Sequence, residues 1–314
     1  MVASLWRRLS ERWDEYFFRP APASALAAFR IAFYLCALIH EIVHYSLNYF
    51  GYPAYLFKAS GLFLLFPVAQ PATEIMTLLY AILAVLLVLS AAGSGAAVRL
   101  SAALIALYIY GIRYNYGFNF KAEGGVSVCL LLMVFSKCDD SFSLRNRWWP
   151  SRRPDPQSLA TASARGLYSW PMQFTRVYWV FMIFSAGLFK LKYTGWGWAA
   201  QDSIHFVLVR QMYYFYPQSS PPTPLGQFML EHPSITLLGS WLSLGVELLA
   251  PLMLLGGRFR WIILANLLVM LVLVRFSMHH SFVIAQMPLY IALLPWEKLG
   301  PRFLDSQPPE EKVA

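Results

Sequence analysis

The sequence predicts an all-α integral membrane protein, a bundle of about eight transmembrane helices with both termini in the cytoplasm. Of its 314 residues, 58% are hydrophobic and only 13% are charged, whereas soluble domains are about 45–50% apolar and about 25% charged. The apolar residues form runs of roughly 17–25 residues, the length at which a helix crosses a bilayer. The net charge is +9, but the basic residues lie between these runs, as membrane topology requires, so we expect no nucleic-acid binding.

Residues 1–20 predict a helix that lies on the membrane surface. Leu5, Trp6, Leu9 and Trp13 recur at helical spacing, and the arginines fall between them. This pattern produces one apolar and one charged face, which is typical of an interfacial helix. The segment does not have the organisation of a cleavable signal peptide.

Residues 21–297 form the predicted transmembrane domain. Each long apolar run is interpreted as one crossing, although the third is rich in tyrosine and the fourth is short. The eight predicted crossings are Ser24–Tyr45, Glu74–Ala92, Leu100–Tyr116, Gly124–Lys137, Trp170–Lys190, Ile235–Leu255, Trp261–Phe276 and Ser281–Leu294. A short polar tail, residues 298–314, follows.

The connections between the crossings predict the orientation. Residues 138–169 form a polar loop, and residues 193–233 form a long loop rich in tryptophan and tyrosine. With the N-terminus inside, 17 lysines and arginines fall on the cytoplasmic side and 6 on the other. Because cytoplasmic loops carry the excess of positive charge, we expect both termini inside and, in a bacterium, a location in the inner (cytoplasmic) membrane.

Several charged residues fall within a predicted crossing or at its end, and Arg30, Glu247 and Lys190 are the most informative. A charge there costs about 2.5–3.5 kcal/mol on insertion scales and marks a functional or paired residue. Arg30 is near the cytoplasmic side, and we expect its side chain to extend to the headgroups. Glu247 lies mid-span. It is either a protonated or ion-paired carboxylate that holds helices together, or a functional residue that carries protons or partners Lys190 or a substrate. Lys190, at the outer end of the fifth crossing, is either an interfacial lysine or a base.

Residues 40–44 read His-Glu-Ile-Val-His, an H-E-x-x-H pattern. On a helix, His40 and His44 share one face and can bind zinc, while Glu41 can act as a base. The pattern lies at the outer end of the first crossing, and no third ligand follows on a neighbouring helix. A zinc-dependent membrane hydrolase is therefore an alternative, and zinc is not expected.

Titratable side chains are concentrated at the predicted outer face, with Glu247 beneath them. A concentration of this kind predicts a cleft that opens outward. Its members are His40, Glu41, His44, Glu123, Lys190, Asp202, His205, His279 and His280.

Residues 186–191 read A-G-L-F-K-L and are followed by Trp196 and Gly197. F-R-I at residues 29–31 opens the first helix, S-L at residues 143–144 follows the fourth, and M-H-H-S at residues 278–281 begins the last. With Glu247, these features resemble the HTTM (horizontally transferred transmembrane) family, which includes the vitamin K-dependent γ-glutamyl carboxylases. In that family the first stretch reads A-G-x-K-K-L…W-x-x-G.

The resemblance implies a base at Lys190, which matches the family's second lysine, the residue that deprotonates a hydroquinone. It also implies a reduced quinone as co-substrate, with Glu247 and His279 or His280 in support. The first lysine is Phe189 here, and the family's histidine at the start of the fourth helix falls near Ala122 or Glu123, so Glu123 is the candidate there. No large non-membrane domain follows the last predicted helix. We therefore expect a smaller reaction on a quinone or other lipid-soluble substrate.

Three functions follow from these patterns. The first is an HTTM-type, carboxylase-like enzyme with Lys190 as base. The second is a non-enzymatic subunit for membrane assembly or lipid binding, with membrane lipid and an unknown protein as partners. The third is the zinc hydrolase of His40, Glu41 and His44.

Overall fold

The computed structural model describes residues 2–45, 71–115, 121–210, 223–278 and 287–304. Every regular element in these ranges is a helix, which confirms the all-α fold class. Six of the helices are long and apolar enough to cross a membrane. This number fits a multi-pass integral membrane protein, since each crossing must satisfy its backbone polar groups within its own helix.

The chain folds into two compact units, one of residues 1–175 and 291–314 and one of residues 176–290. The helices of unit 1 are α1 (Val2–Phe17), α2 (Ala23–Tyr45), α3 (Thr73–Ala92), α4 (Ala96–Asn115), α5 (Lys121–Phe135), α6 (Leu144–Trp148) and α7 (Pro156–Ala164). The helix α8 (Trp170–Thr194) begins in unit 1 and continues into unit 2. The helices of unit 2 are α9 (Gly197–Ala200), α10 (Ser203–Arg210), α11 (Pro224–Glu231), α12 (Pro233–Leu249), a 3₁₀ helix (Ala250–Leu255) and α13 (Gly257–Met278). The last two helices are α14 (Met287–Leu293), which passes from unit 2 to unit 1, and α15 (Trp296–Leu304) in unit 1.

Five predicted crossings are confirmed as long apolar helices with slightly different ends, α2, α3, α8, α12 with its 3₁₀ extension, and α13. The third, α4, begins at Ala96 rather than Leu100. The fourth, α5, has only 15 residues. Residues 281–286 of the eighth lie outside the described part, so the total of eight stays a prediction.

In unit 1, α2 packs against α3, α3 against α4 and α4 against α5, while α15 packs against α2. The last contact depends on a glycine, because a Cβ atom at Gly300 would lie 2.4 Å from the Cα of Ala25. Glu297, at the start of α15, forms an ion pair with Arg19 at 2.5 Å. The first part of the predicted polar tail is thus a helix that packs against the bundle.

The turn between α3 and α4 needs Gly93. This residue has φ 78°, in the left-handed region that favours glycine. The N–H of Ser94 then donates to the carbonyl of Leu89 at 3.1 Å, which closes the end of α3. A Cβ atom at Gly93 would lie 2.6 Å from Cβ of Ser143. The absence of a side chain at Gly93 therefore also lets the loop that follows α5 pack against this turn.

Arg30 contacts the end of α3 and the loop that follows α5. The expectation that its side chain extends to the headgroups is wrong. Its side chain is fully buried. It donates to the carbonyls of Ala91 at 3.1 Å and Phe142 at 2.5 Å, and also to that of Cys138. Its guanidinium lies 3.6 Å from the carboxylate of Asp139. An arginine that is enclosed by acceptors ties α2 to the loop after α5.

Arg99 is one of the 17 lysines and arginines assigned above to the cytoplasmic side, and Arg113 is one of the 6 assigned to the other side, but both lie in α4 and are buried. Arg99 forms an ion pair with Asp139, which therefore lies between two arginines. Arg113 pairs with Glu123 at 2.7 Å. These residues have side-chain partners inside unit 1, so part of the charge bias used for orientation arises from tertiary structure.

In unit 2, part of the predicted loop 193–233 is helical. Residues 197–200, 203–210 and 224–231 form α9, α10 and α11, while residues 211–222 lie outside the described part. Leu208 of α10 and Met229 of α11 are buried against each other. The helices α10 and α11 also contact α12, and α11 contacts α13. The segment therefore builds part of the bundle.

Candidate functional site

Lys190 of α8 and Glu247 of α12 form an ion pair within unit 2. The lysine Nζ lies 2.7 Å from Oε1 of Glu247 and 3.4 Å from Oγ of Ser243. The lysine side chain is 22% exposed and the glutamate side chain 11%. The ion pair fits both a carboxylate that holds α8 and α12 together and a functional partner of Lys190, so the role of Glu247 stays a prediction.

Trp198 of α9 completes the surroundings of the lysine. The Nζ of Lys190 lies 3.8 Å from the centroid of the Trp198 ring. A cation over an indole face gains about 2 kcal/mol when it is desolvated. The amine of Lys190 therefore has an acid on one side, a hydroxyl on another and an aromatic face on a third.

The pair forms because α8 and α12 approach closely at Gly187. A Cβ atom there would lie 3.0 Å from Cβ of Glu247 and 3.2 Å from the backbone nitrogen of Leu248. Gly187 precedes Lys190 by three residues, so both project from the same side of α8. Because Gly187 has no side chain, α8 and α12 can approach closely, and this approach brings Lys190 within reach of Glu247.

Replacing Gly187 with leucine is expected to lower the free energy of unfolding by about 1–3 kcal/mol, because the added side chain would press on the α12 backbone. The coupling between Lys190 and Glu247, measured by a double-mutant cycle, should fall towards zero as the helices separate. Both quantities can be obtained by SDS titration in mixed micelles.

Gly245 supplies the matched control, because a Cβ atom at this α12 position meets nothing within 4 Å. Gly245→Leu should leave both the stability and the coupling near their wild-type values. If Gly187→Leu behaved in the same way, the close approach would not be what joins the pair.

A cavity of about 250 Å³ lies beside the pair. Its wall is almost entirely apolar, and Ser243 and Asn266 are among its few polar members. Residues from four helices of unit 2 line it, including Ile204, Met229, Leu242 and Val269. Ser243 thus has two roles, since it lines the cavity and lies within hydrogen-bonding distance of Lys190.

Asp202 positions one wall of the cavity. It has φ 51°, an uncommon conformation for a residue other than glycine. Its carboxylate accepts hydrogen bonds from Thr236 at 2.5 Å and from the backbone N–H of His205 at 3.3 Å. The backbone N–H of Ile204 donates to Ser240 at 3.1 Å. The start of α10 is thereby fixed against α12.

A second cluster of titratable residues lies in unit 1. Glu41 of α2 accepts a hydrogen bond from Tyr110 of α4, and its Oε1 lies 3.8 Å from Nε2 of His40. Glu123 of α5 pairs with Arg113 of α4. His40, Glu41, Arg113 and Glu123 are all buried. Glu123 therefore has an arginine partner, and its place in catalysis stays a prediction.

The H-E-x-x-H pattern does lie on a helix, α2. Among the residues that the structure describes, no three His, Cys, Asp or Glu side chains come together as a metal site would require. The side chain of His44 and the residues His279 and His280 lie outside the described part, so their predicted roles are untested. Glu41 accepts a hydrogen bond from Tyr110.

Cys138 is a buried cysteine whose Sγ lies 3.9 Å from Oδ1 of Asp139. Burial raises the pKa of its thiol above the ordinary value. Because the thiolate is the nucleophile, a protonated and enclosed thiol is inert. We assign Cys138 a packing role beside Arg30.

Sequence reasoning missed several members of these sites. Ser243 could have been found, because α12 carries a buried polar stripe at helical spacing, formed by Thr236, Ser240, Ser243 and Glu247. Trp198 was noted only as part of an aromatic loop. Tyr110 and Arg113 carry no signal of their own, because their partners lie on other helices.

No protein-family model, no curated protein and no solved structure matches the chain. The functional argument therefore rests on the residues and their geometry.

Proposed function

We propose that this protein is a membrane enzyme of the HTTM type, in which Lys190 accepts a proton from a lipid-soluble hydroquinone. One observation carries the proposal. Lys190 Nζ lies 2.7 Å from Glu247 and 3.4 Å from Ser243, and Ser243 forms part of the wall of an apolar cavity. The base candidate is thus joined to a place where an apolar substrate fits.

The pair supplies what a lysine base needs. A lysine accepts a proton only as a neutral amine, so its own proton must first have an acceptor. Glu247 is at hydrogen-bonding distance for this transfer. The neutral amine then takes the hydroxyl proton of Ser243, and Ser243 takes that of the substrate. The substrate O–H bond breaks, an N–H bond forms on Lys190, and the electron pair stays on the substrate oxygen as a quinolate.

The surroundings favour that anion once it has formed. The new ammonium of Lys190 remains close to Ser243 and lies over Trp198. Charges held in place within an apolar environment interact strongly, because little water screens them. The arrangement stabilises the deprotonated substrate more than the neutral one, which is the condition for catalysis.

The cavity favours a ring-shaped head group over a large polar molecule. Its volume of about 250 Å³ is slightly below the range of about 300–1,000 Å³ for drug-sized ligands. The apolar wall suits a quinone ring, and the substrate tail would extend into lipid. A docked protein substrate does not fit such a cavity, so we propose chemistry on the quinone rather than protein carboxylation.

The membrane arrangement in this proposal has both termini in the cytoplasm and eight crossings, with residues 281–294 as the last. His279 or His280 would then lie near the outer end of α13 and could assist the proton transfer. In a bacterium the protein would lie in the inner membrane, where quinones are dissolved.

The test uses detergent-purified protein and a short-chain naphthohydroquinone. Deprotonated hydroquinones react faster with oxygen, so the wild-type protein should accelerate oxygen consumption. Lys190→Met should reduce the acceleration about 10²–10⁴-fold, the usual contribution of a general base. Ser243→Ala should also reduce it, because the relay is interrupted.

Lys192 supplies the matched control, since it lies on the same helix at an exposed position, with its Nζ 5.4 Å from the centroid of the Tyr193 ring. Lys192→Met should keep the wild-type rate. A Lys190→Met variant with full activity would overturn the assignment of the base. No acceleration by the wild type, together with a co-purifying protein, would favour the non-enzymatic subunit.

A further inference from the structure

A groove in unit 1 has no role in the proposed reaction. It lies between α2 and α3 and has a volume of about 310 Å³. Its lining residues are Glu41, Ile42, Thr77, Tyr80, Ala81 and Ala84. Thr77, Ala81 and Ala84 are small residues at i, i+4 and i+7, so together they form a concave strip along one face of α3.

The groove is open to the lipid side of the helices. The side chain of Ile42 is 60% exposed, and α2 and α3 are both long enough to cross the membrane. An exposed isoleucine on a crossing helix contacts acyl chains. The groove is therefore accessible to a molecule that is dissolved in the lipid phase.

The groove ends on a carboxylate. Glu41 is 3% exposed, and its Oε1 accepts the hydroxyl hydrogen of Tyr110. Its other oxygen, Oε2, has no hydrogen-bond partner among the described residues. A buried acceptor that lacks a donor costs about 1–3 kcal/mol or more, so its presence in a folded protein calls for an explanation.

The geometry restricts the kind of ligand. The free oxygen needs a hydrogen-bond donor, and the apolar strip beside it needs an apolar body. The side chain of Tyr80 also lines the groove, next to the small residues of α3. A cation such as calcium would need six or more oxygen ligands, and the described part of the chain brings no three His, Cys, Asp or Glu residues together.

We propose that the α2–α3 groove is a second binding site, which takes the hydroxyl group of a lipid-soluble alcohol or phenol on Oε2 of Glu41. The hydroxyl donates to the carboxylate, and the apolar body lies along Thr77, Ala81 and Ala84. Tyr110 holds the carboxylate in place from the opposite side. The site lies wholly in unit 1 and does not depend on Lys190.

The test compares two photoreactive probes on the full-length protein in lipid nanodiscs. One is a long-chain alcohol that carries a diazirine near its hydroxyl group, and the other is its methyl ether, which has the same body but no donor. Mass spectrometry of the cross-linked peptides should place the alcohol on residues 39–42 and 77–84. We expect several-fold more labelling there by the alcohol than by the ether.

Glu41→Gln should remove this preference. The amide oxygen can still accept the hydrogen bond from Tyr110. The amide nitrogen takes the place of Oε2 and is a donor, so it cannot accept the hydroxyl hydrogen of the alcohol. The ratio of alcohol to ether labelling should therefore fall towards one. Glu74→Gln, an exposed position on α3, is the control and should keep the wild-type ratio.

A second variant covers the case in which Glu41→Gln does not fold. Ala81→Phe fills the groove from an exposed position and leaves Glu41 unchanged, and it should abolish labelling by both probes at this site. Equal labelling by alcohol and ether in the wild type would overturn the proposal. So would one zinc per chain that is lost in Glu41→Gln and that blocks labelling.

Discussion

Replacing Arg30 with methionine is expected to lower the free energy of unfolding by about 3–5 kcal/mol, the usual loss when one partner of a buried ion pair is removed. The guanidinium is fully buried and lies 3.6 Å from Asp139. Without it, the carbonyls of Ala91, Cys138 and Phe142 lose the donor that they share. The loop after α5 would then lose its attachment to α2.

SDS titration of the purified protein in mixed micelles measures this loss. Arg30→Lys should not restore the stability, because an ammonium cannot serve the several acceptors that the planar guanidinium reaches. Arg12→Met is the control, since it removes the same charge from an exposed position of α1. A loss below about 1 kcal/mol in Arg30→Met would contradict the role of Arg30 as an internal anchor.

The second large effect concerns the pair of Lys190 and Glu247. Lys190→Met is expected to destabilise the protein by about 3–5 kcal/mol, because it leaves a carboxylate in the middle of an apolar helix without its lysine. Glu247→Met should cost less. Lys190 keeps the face of Trp198 and lies one turn before the end of α8, so its amine can extend towards the interface.

The double variant Lys190→Met, Glu247→Met should return to within about 1 kcal/mol of the wild type, because apolar side chains of similar volume replace a buried pair without a net penalty. The favourable coupling energy of this cycle measures the pair directly. If the two single losses simply added, the side chains would not interact in the membrane.

The same three variants separate stability from function. Hydroquinone-dependent oxygen consumption should be lost whenever Lys190 is replaced, including in the double variant that regains stability. Recovery of the activity together with the stability would show that the pair only holds α8 to α12.

The main features of the fold could be predicted from the sequence. The apolar runs are contiguous, and those within the described ranges map onto helices, so α2, α3, α8, α12 and α13 were located within a few residues. The start of α4 lies four residues before the predicted Leu100, because the charge of Arg99 interrupts the apolar run there. A charged residue ends an apolar run in the sequence, but it does not end a helix when a partner such as Asp139 is available inside the protein.

For the candidate sites, the sequence identified the unusual residues but not the residues that they contact. Glu247, Lys190 and Glu41 could be identified as unusual, because each is an ionisable residue in or beside an apolar helix. Their partners could not be identified. Glu247 meets a lysine 57 residues away, and Glu41 meets a tyrosine 69 residues away.

By itself the sequence determined the class of this protein, its helical content and the small set of polar residues that an apolar helix does not need. These follow from local composition and spacing, since hydropathy is a property of each segment. Only the tertiary structure decided that Lys190 meets Glu247, that Arg30 is enclosed by carbonyls and that Glu41 lines a groove between α2 and α3. Which side chains meet depends on the rotation and the close approach of whole helices, and those are set by packing at positions such as Gly187 and Gly93 that have no charge to mark them.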